Sequence, residues 1–277
     1  RLRAMGGLAM ETATRPHADS ELLKVVSERM CLEAGVELRF HSWGVGALVE
    51  SGTLKGVTVE SKAGRQAILC KACIDATGDA DIAAAAGAGC RSRTMAIGLP
   101  LKIGGVDLEK YREFERAQPE RAGQLAAQAK ALGGYVIRPL PTPYSGEGAY
   151  WVNIAGVARR GKGAEANSSG KLEGELDGTS VEDLSWAEVE LRERTLASVE
   201  FYRKNGPGYE KVQLLAFAPQ LGVRASRHIR APRSVSRADV EAGRTYSDAV
   251  GCVGVDYSKP GHAQVPYACL LPERTEG

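Results

Sequence analysis

The 277-residue sequence has no uninterrupted apolar run of about 18 residues, the length that indicates a membrane-spanning helix. Its N-terminal stretch has no apolar segment next to a small-residue cleavage site, so it predicts no secretory signal peptide. Charges of the two signs nearly balance, with 36 Lys and Arg against 34 Asp and Glu. Because nucleic acids and membrane surfaces select a clustered basic face, we expect neither as a partner.

Cysteine is scarce as well, with six in the chain, too few for a fold built on disulfides. Cys70 and Cys73 have CxxC spacing, but strand residues three apart point to opposite faces, and no second CxxC completes a zinc site. We interpret them as reduced cysteines of a buried strand and expect a cytoplasmic location and no metal. The chain also has no HExxH, GxSxG or P-loop motif.

Apolar periodicity predicts two long helices. Residues 19–34 carry apolar side chains four apart, with Asp19 or Ser20 available as the cap and Gly35 at the end. Residues 184–205 form the second, with Trp186, Val189, Leu196, Val199 and Tyr202 predicted on its buried side. The sequence Ser236-Arg-Ala-Asp starts a further short helix.

Four strand-like runs follow the first helix: GVELRFHS, VGALVES, LKGVTVES and RQAILCKACIDA. Tight turns at Ser51-Gly52 and Ala63-Gly64 separate the last three runs, which therefore predict a three-stranded antiparallel meander. The fourth run is long and continuously apolar near its end, at Ala72, Cys73 and Ile74, and predicts a strand buried on both faces. Residues 80–88 then predict a short Ala-rich helix, and the Gly/Ser-rich segment 160–180 a mobile loop.

The junction between that strand and helix, CIDATGDADI, has the composition of a ligand site. Ligands of open α/β sheets bind just past the carboxyl ends of strands. Gly78 lets a ligand approach the backbone, and Thr77 offers a hydroxyl and an N–H group. Asp79 could cap the helix, whose N-terminal N–H groups suit phosphate, and either Asp75 or Asp79 could bind ribose hydroxyls. Alone, such a junction is also compatible with a purely structural turn.

Three stretches, in this order along the chain, resemble one protein family: residues 19–61, residues 70–89, and residues 219–250 followed by QVPYACLLP. They are similar to the FAD-dependent oxidoreductases with two dinucleotide-binding domains, the glutathione-reductase-like and fumarate-reductase-like flavoproteins. Within that group the chain looks most like the bacterial family named FAD-dependent oxidoreductase. The most specific part is the combination GVRxSRxI and AGRxxxDAV.

The resemblance implies an α/β fold in three parts. Residues 1–92 would be part of a Rossmann-like FAD-binding domain that includes the meander, residues 93–212 an inserted α+β substrate domain, and residues 213–277 the return to the FAD-binding domain. FAD would be the cofactor and a small molecule the substrate. The resemblance leaves a homo-oligomer open.

The resemblance also implies roles for single residues. Those expected to contact the ADP portion of FAD are Val45, Ala76, Thr77, Gly78 and Asp79. Arg224 and Arg227 would lie near the flavin or the substrate, with an ion pair to Asp239 or Glu241 as the structural alternative for these arginines. His228 could donate a proton, the alternative being a histidine on the strand surface.

The chain departs from the family pattern in three places. It has no GxGxxG, the motif that receives the pyrophosphate, and it stops before the segment that covers the flavin. It has Ala225 where the family often has Glu. The departures predict an internal fragment that binds FAD weakly or not at all. A non-catalytic nucleotide-binding remnant or subunit is the alternative, and a methyltransferase-like domain is disfavoured by the antiparallel meander.

Overall fold

The computed structural model describes residues 1–12, 15–92, 97–132, 134–139, 148–152, 176–254 and 262–273. The chain forms two compact units, one of Arg1–Arg39 with Thr94–Ser226 and the other of Phe40–Arg93 with Arg227–Gly277. Most of the predicted loop 160–180 lies outside the described residues. The three-part division into an FAD-binding domain and a substrate insert stays a proposal.

Six helices and fourteen strands lie in the described part of the chain. The helices are α1 (Ser20–Glu33), α2 (Asp81–Ala85), α3 (Leu108–Ala117), α4 (Pro119–Ala131), α5 (Val181–Asn205) and α6 (Arg237–Glu241). The strands are β1 (Leu8–Thr12), β2 (Arg15–Ala18), β3 (Trp43–Glu50), β4 (Thr53–Ser61), β5 (Gly64–Leu69), β6 (Cys90–Ser92), β7 (Ile97–Gly98), β8 (Leu101–Gly104), β9 (Ala149–Val152), β10 (Gln213–Phe217), β11 (Gly222–Val223), β12 (Arg227–Ile229), β13 (Ala249–Gly254) and β14 (His262–Pro266).

The strands form small antiparallel sheets within a mixed α/β structure. Strands β3, β4 and β5 form a three-stranded sheet in which neighbours in space are also neighbours in sequence. In the first unit, β8 lies between β10 and β9, and β7 pairs with β11. In the second unit, β6 pairs with β12 and β13 pairs with β14.

The hydrophobic core described by the structure lies in the first unit, where β8 and β9 pack with α3, α4 and α5. The prediction of a long helix that ends at Asn205 is confirmed by α5. Its predicted buried side is wrong in part, because Val189 is 62% exposed whereas Ala187 and Leu191 are fully buried. A two-residue error rotates an assigned helix face by more than half a turn, since each turn has 3.6 residues.

The helix predicted at residues 19–34 is confirmed by α1, including its cap. The Asp19 carboxylate accepts hydrogen bonds from the backbone N–H groups of Glu21 and Leu22, and Gly35 adopts a left-handed φ of 74° just past the helix. The cap supplies an acceptor for N–H groups that have no partner inside the helix. Only Val26 of its apolar stripe is buried, and Met30 is 51% exposed.

Two of the four predicted strands differ from the structure. Residues 36–40 form no strand, and β5 ends at Leu69, so the segment 70–75 is irregular rather than a buried strand. Ile74 is 92% exposed. Pairing of this run with β4 ends at Leu69, opposite Gly56, and one further bond joins Cys70 N–H to the Lys55 carbonyl. Strand propensity alone cannot form a strand without a neighbour to pair with.

All six cysteines are free, and Cys73 is exposed, so its predicted burial in a strand is wrong. The residue as a whole is exposed, but its thiol is partly buried, and this partial burial raises the pKa of Cys73. The neighbouring Cys70 and Asp75 raise it further, by smaller amounts. Among the described residues, no helix is long and apolar enough to cross a membrane, and no three His, Cys, Asp or Glu side chains are grouped to bind a metal ion.

Candidate functional site

The loop between the irregular segment and α2 is built around the Asp75 carboxylate. One of its oxygens accepts hydrogen bonds from the backbone N–H and the hydroxyl of Thr77, at 3.0 and 2.7 Å. The other oxygen accepts from the backbone N–H of Ala83 in α2, at 2.8 Å. A single side chain therefore holds both the loop and the first turn of the helix, and an aspartate two residues before its N–H donor is typical of an Asx turn.

Thr77 extends this network towards the start of the helix. Its Oγ1 donates to Asp75 and accepts a hydrogen bond of 3.0 Å from the backbone N–H of Asp81. The expectation that Asp79 caps the helix is wrong, since the N-cap residue is Ala80, with no side-chain cap. The N–H groups at Asp81 and Ala83 are bound by Thr77 and Asp75 instead. These two N–H groups are therefore not open to a phosphate, and the expectation that they would bind one is wrong for them.

The pKa of Asp75 reflects this environment. Partial burial of the carboxyl raises it, but the hydrogen bonds from Thr77, Ala83 and the Ile82 backbone together outweigh burial, so the pKa lies below its usual value. Hydrogen bonds donated to a carboxylate favour its charged form. Asp75 is therefore an ionised structural anchor at neutral pH, and both of its oxygens are already used within the loop.

Gly78 keeps the middle of the loop open. Its φ is 95°, a conformation that glycine adopts without the steric cost of a Cβ. A Cβ built at this position would meet no atom within 4 Å, and Thr77 and Gly78 are both exposed. The backbone just after Asp75 is thus accessible to a ligand from solvent.

Val45 lies at an irregular position of the neighbouring strand β3. Gly44 pairs with Val59 and Gly46 with Thr58, which leaves Val45 as the extra residue of a β-bulge. It is 50% exposed. The strand contacts α2 beside it, because a Cβ at Gly44 would stand 3.2 Å from Ile82 Cδ1. Val45 therefore lies in the same compact unit as the loop and next to the helix that follows it.

Arg227 also belongs to this unit and contacts the loop. Its Nη1 lies 2.6 Å from the Asp81 carboxylate and donates a longer bond of 3.5 Å to the Asp79 carbonyl. The alternative ion pairs to Asp239 and Glu241 are wrong for Arg227, since Asp239 pairs with Arg244 and Glu241 with Arg237.

The other two expected catalytic residues lie elsewhere. His228 alternates with Arg227 along β12, is exposed, and pairs across the sheet with Arg91. Arg224 is exposed and belongs to the other compact unit.

The second unit thus brings five predicted residues towards α2, namely Val45, Ala76, Thr77, Gly78 and Asp79, together with Arg227. Asp81 was missed as a site residue. The Asp-x-Thr spacing could have revealed the loop's internal hydrogen bonds, but no local signal pairs Asp81 with an arginine 146 residues away.

The open loop has the chemistry that one half of a dinucleotide needs. A nucleotide's phosphates and sugar approach a protein backbone closely only where no side chain stands in the way, which the exposed Gly78 provides.

Among known proteins, the model of the family described as FAD dependent oxidoreductase matches residues 1–277. No curated protein and no solved structure matches the chain. The cofactor of this family is FAD. The match spans every residue of the sequence, including the loop and its neighbouring strands, and the chain therefore belongs to the FAD-dependent oxidoreductase family.

Proposed function

We propose that the protein transfers a hydride or an electron pair between a small organic substrate and FAD. The observation that carries this proposal is the exposed Thr77–Gly78 backbone, held open by Asp75 and the left-handed Gly78. The family match supports it independently. The cofactor, when bound, supplies the redox chemistry, and the chain supplies position, charge and exclusion of water.

In this proposal the ADP portion of FAD lies along one surface of the second unit. The loop residues Ala76, Thr77, Gly78 and Asp79 contact it, and the bulged backbone of Val45 contacts the adenine. At a bulge, a strand residue is left out of the regular ladder, which leaves its backbone groups for a ligand. The loop is already fixed by Asp75 before a ligand arrives, and such preorganisation lowers the entropy cost of binding.

In this proposal, other residues bind the substrate. Residues 93–212 would cover it and set specificity, and Arg224 would bind a substrate carboxylate or balance negative charge on the reduced ring. His228, exposed on β12, would donate a proton. The six free cysteines fit a reducing cytoplasm.

We further propose that these residues are an internal part of a longer flavoprotein. Phe40, Leu69 and Ile74 are 62%, 75% and 92% exposed, although all three lie in segments whose composition predicts strands. Large apolar side chains with this degree of exposure indicate missing contacts. Strands of additional polypeptide, carrying the glycine motif that the 277 residues lack, would pair with these segments and complete the FAD-binding sheet.

FAD titration of the wild type and a Gly78→Val variant tests the cofactor surface. A valine side chain at this position would project from the exposed loop, so we expect FAD affinity to fall at least tenfold. Gly64→Val is the matched control, because Gly64 has a φ of 93°, is the first residue of β5, and also has no atom within 4 Å of a Cβ. It carries the same backbone cost and should leave FAD affinity unchanged.

The same titration on the 277-residue chain and on the product of the complete gene tests the fragment proposal. Weak binding by the former and tight binding by the latter supports both proposals, and tight binding by the 277 residues refutes the need for further strands. If neither binds FAD, the cofactor surface is refuted.

Bleaching of the flavin absorbance by a panel of small organic substrates under anaerobic conditions supports turnover. Bound flavin that none of them reduces favours the non-catalytic nucleotide-binding alternative.

A further inference from the structure

A continuous set of hydrogen bonds joins Arg227 to the loop before α2, residues 76–80. The half-buried guanidinium bonds to the Asp81 carboxylate at 2.6 Å, and the Asp81 N–H bonds to Thr77 Oγ1 at 3.0 Å. The Thr77 hydroxyl donates to Asp75 at 2.7 Å. Each step joins residues of the second unit, so the path from β12 to the loop lies within one compact body.

Helix α2 and the loop before it, which Arg227 contacts, have little stability of their own. Helix α2 has five residues, far below the length at which an isolated helix is stable, and its N-cap residue Ala80 has an unfavourable left-handed φ of 55°. The loop before it has no regular structure. Asp75 fixes the loop from within the same segment, whereas Arg227 ties it to a strand that is distant in sequence. Contacts to such a distant, paired strand restrict the loop in a way that local hydrogen bonds cannot.

We infer that Arg227 is a positioning residue for the FAD-binding loop, acting through Asp81, rather than a residue that touches flavin or substrate. The inference rests on the proposed cofactor surface. With Asp81 held by Arg227, the start of α2 and the Thr77 hydroxyl stay in the geometry that exposes the Thr77–Gly78 backbone. Loss of the ion pair lets the loop sample other conformations, and FAD binding must then supply the ordering free energy.

Three variants of the full-length protein test this inference: Arg227→Gln, Asp81→Asn and the double variant. An ion pair of this partial exposure contributes modestly, so we expect each single change to weaken FAD binding about three- to tenfold. The double variant should bind no more weakly than either single one, because both changes break the same contact. Arg227→Lys keeps a charge without the guanidinium fork and should recover part of the affinity.

Amide hydrogen exchange in the absence of FAD is the second measurement. Exchange at Thr77, Asp81 and Ala83 should quicken in the Arg227 and Asp81 variants, with the global midpoint of thermal unfolding nearly unchanged. The control is Arg65→Gln, which removes an exposed ion pair to Glu60 elsewhere in the same unit. It should alter neither FAD affinity nor exchange in the loop.

Two results would overturn the inference. Unchanged exchange at Asp81 and Ala83 in Arg227→Gln means that the arginine does not position the loop. A large loss of FAD affinity in Arg227→Gln that Asp81→Asn does not reproduce means that Arg227 contacts the ligand directly. Because exchange is measured without cofactor, a failure of the wild type to bind FAD at this loop refutes the proposed surface without altering the exchange result.

Discussion

Replacement of Asp75 is the sharpest test of how the loop is held. The three shortest hydrogen bonds to its carboxylate come from Thr77, which donates two, and from Ala83, which donates one. At a net value of about 0.7 kcal/mol each, suitable for a partly exposed group, Asp75→Ala should lower the free energy of unfolding by about 2 kcal/mol. Asp75→Asn keeps one acceptor oxygen and should cost about 1 kcal/mol.

The stability that Asp75 contributes should also depend on pH, in a direction that its pKa fixes. The pKa of Asp75 is depressed in the folded protein, so the folded state favours the ionised carboxylate. The resulting stability is present above the unfolded pKa of about 4 and is lost as pH falls through the folded value. The difference between wild type and Asp75→Asn should therefore be full at neutral pH and shrink below about pH 4.

Urea denaturation at pH 7 and about pH 3 measures both effects, and hydrogen exchange at Thr77 and Ala83 locates them. Glu60→Ala is the control, since it removes an acid in the same unit whose exposed ion pair to Arg65 should contribute less than about 0.5 kcal/mol. Equal stability of Asp75→Ala and wild type at pH 7 would show that the loop does not depend on this carboxylate. A difference that persists unchanged at low pH would contradict the role of its charge.

Two further predictions concern the first unit. Gly208→Ala should destabilise it by about 3 kcal/mol or more by urea unfolding, because φ is 88° and a Cβ would stand 2.4 Å from the Asp107 carbonyl oxygen. Gly35→Ala, with φ 74° and no atom within 4 Å, should cost only about 1 kcal/mol, and equal losses would refute the steric argument. Leu191→Ala should cost about 2–5 kcal/mol and Val189→Ala less than about 0.5 kcal/mol, and the reverse order in thermal unfolding would contradict the buried face of α5.

Local sequence patterns were sufficient where the stabilising contacts are themselves local. Asp19 caps α1 two and three residues ahead, and Ser236 forms a capping box with Asp239. Tight turns likewise specify the order of β3, β4 and β5, since each strand can pair with the next one along the chain. These features require no knowledge of the rest of the molecule.

The amino-acid sequence by itself determined the long helices, the three-stranded sheet and the exposed Thr77–Gly78 loop, because helix caps, tight turns and a glycine, all local features of the chain, predict them. Only the tertiary structure showed that residues 70–75 are not paired as a strand and that Arg227 binds Asp81. Both depend on which segments, distant along the chain, come to lie side by side. Propensity and spacing carry no information about such neighbours, since a hydrogen bond or an ion pair requires proximity in space and not in sequence.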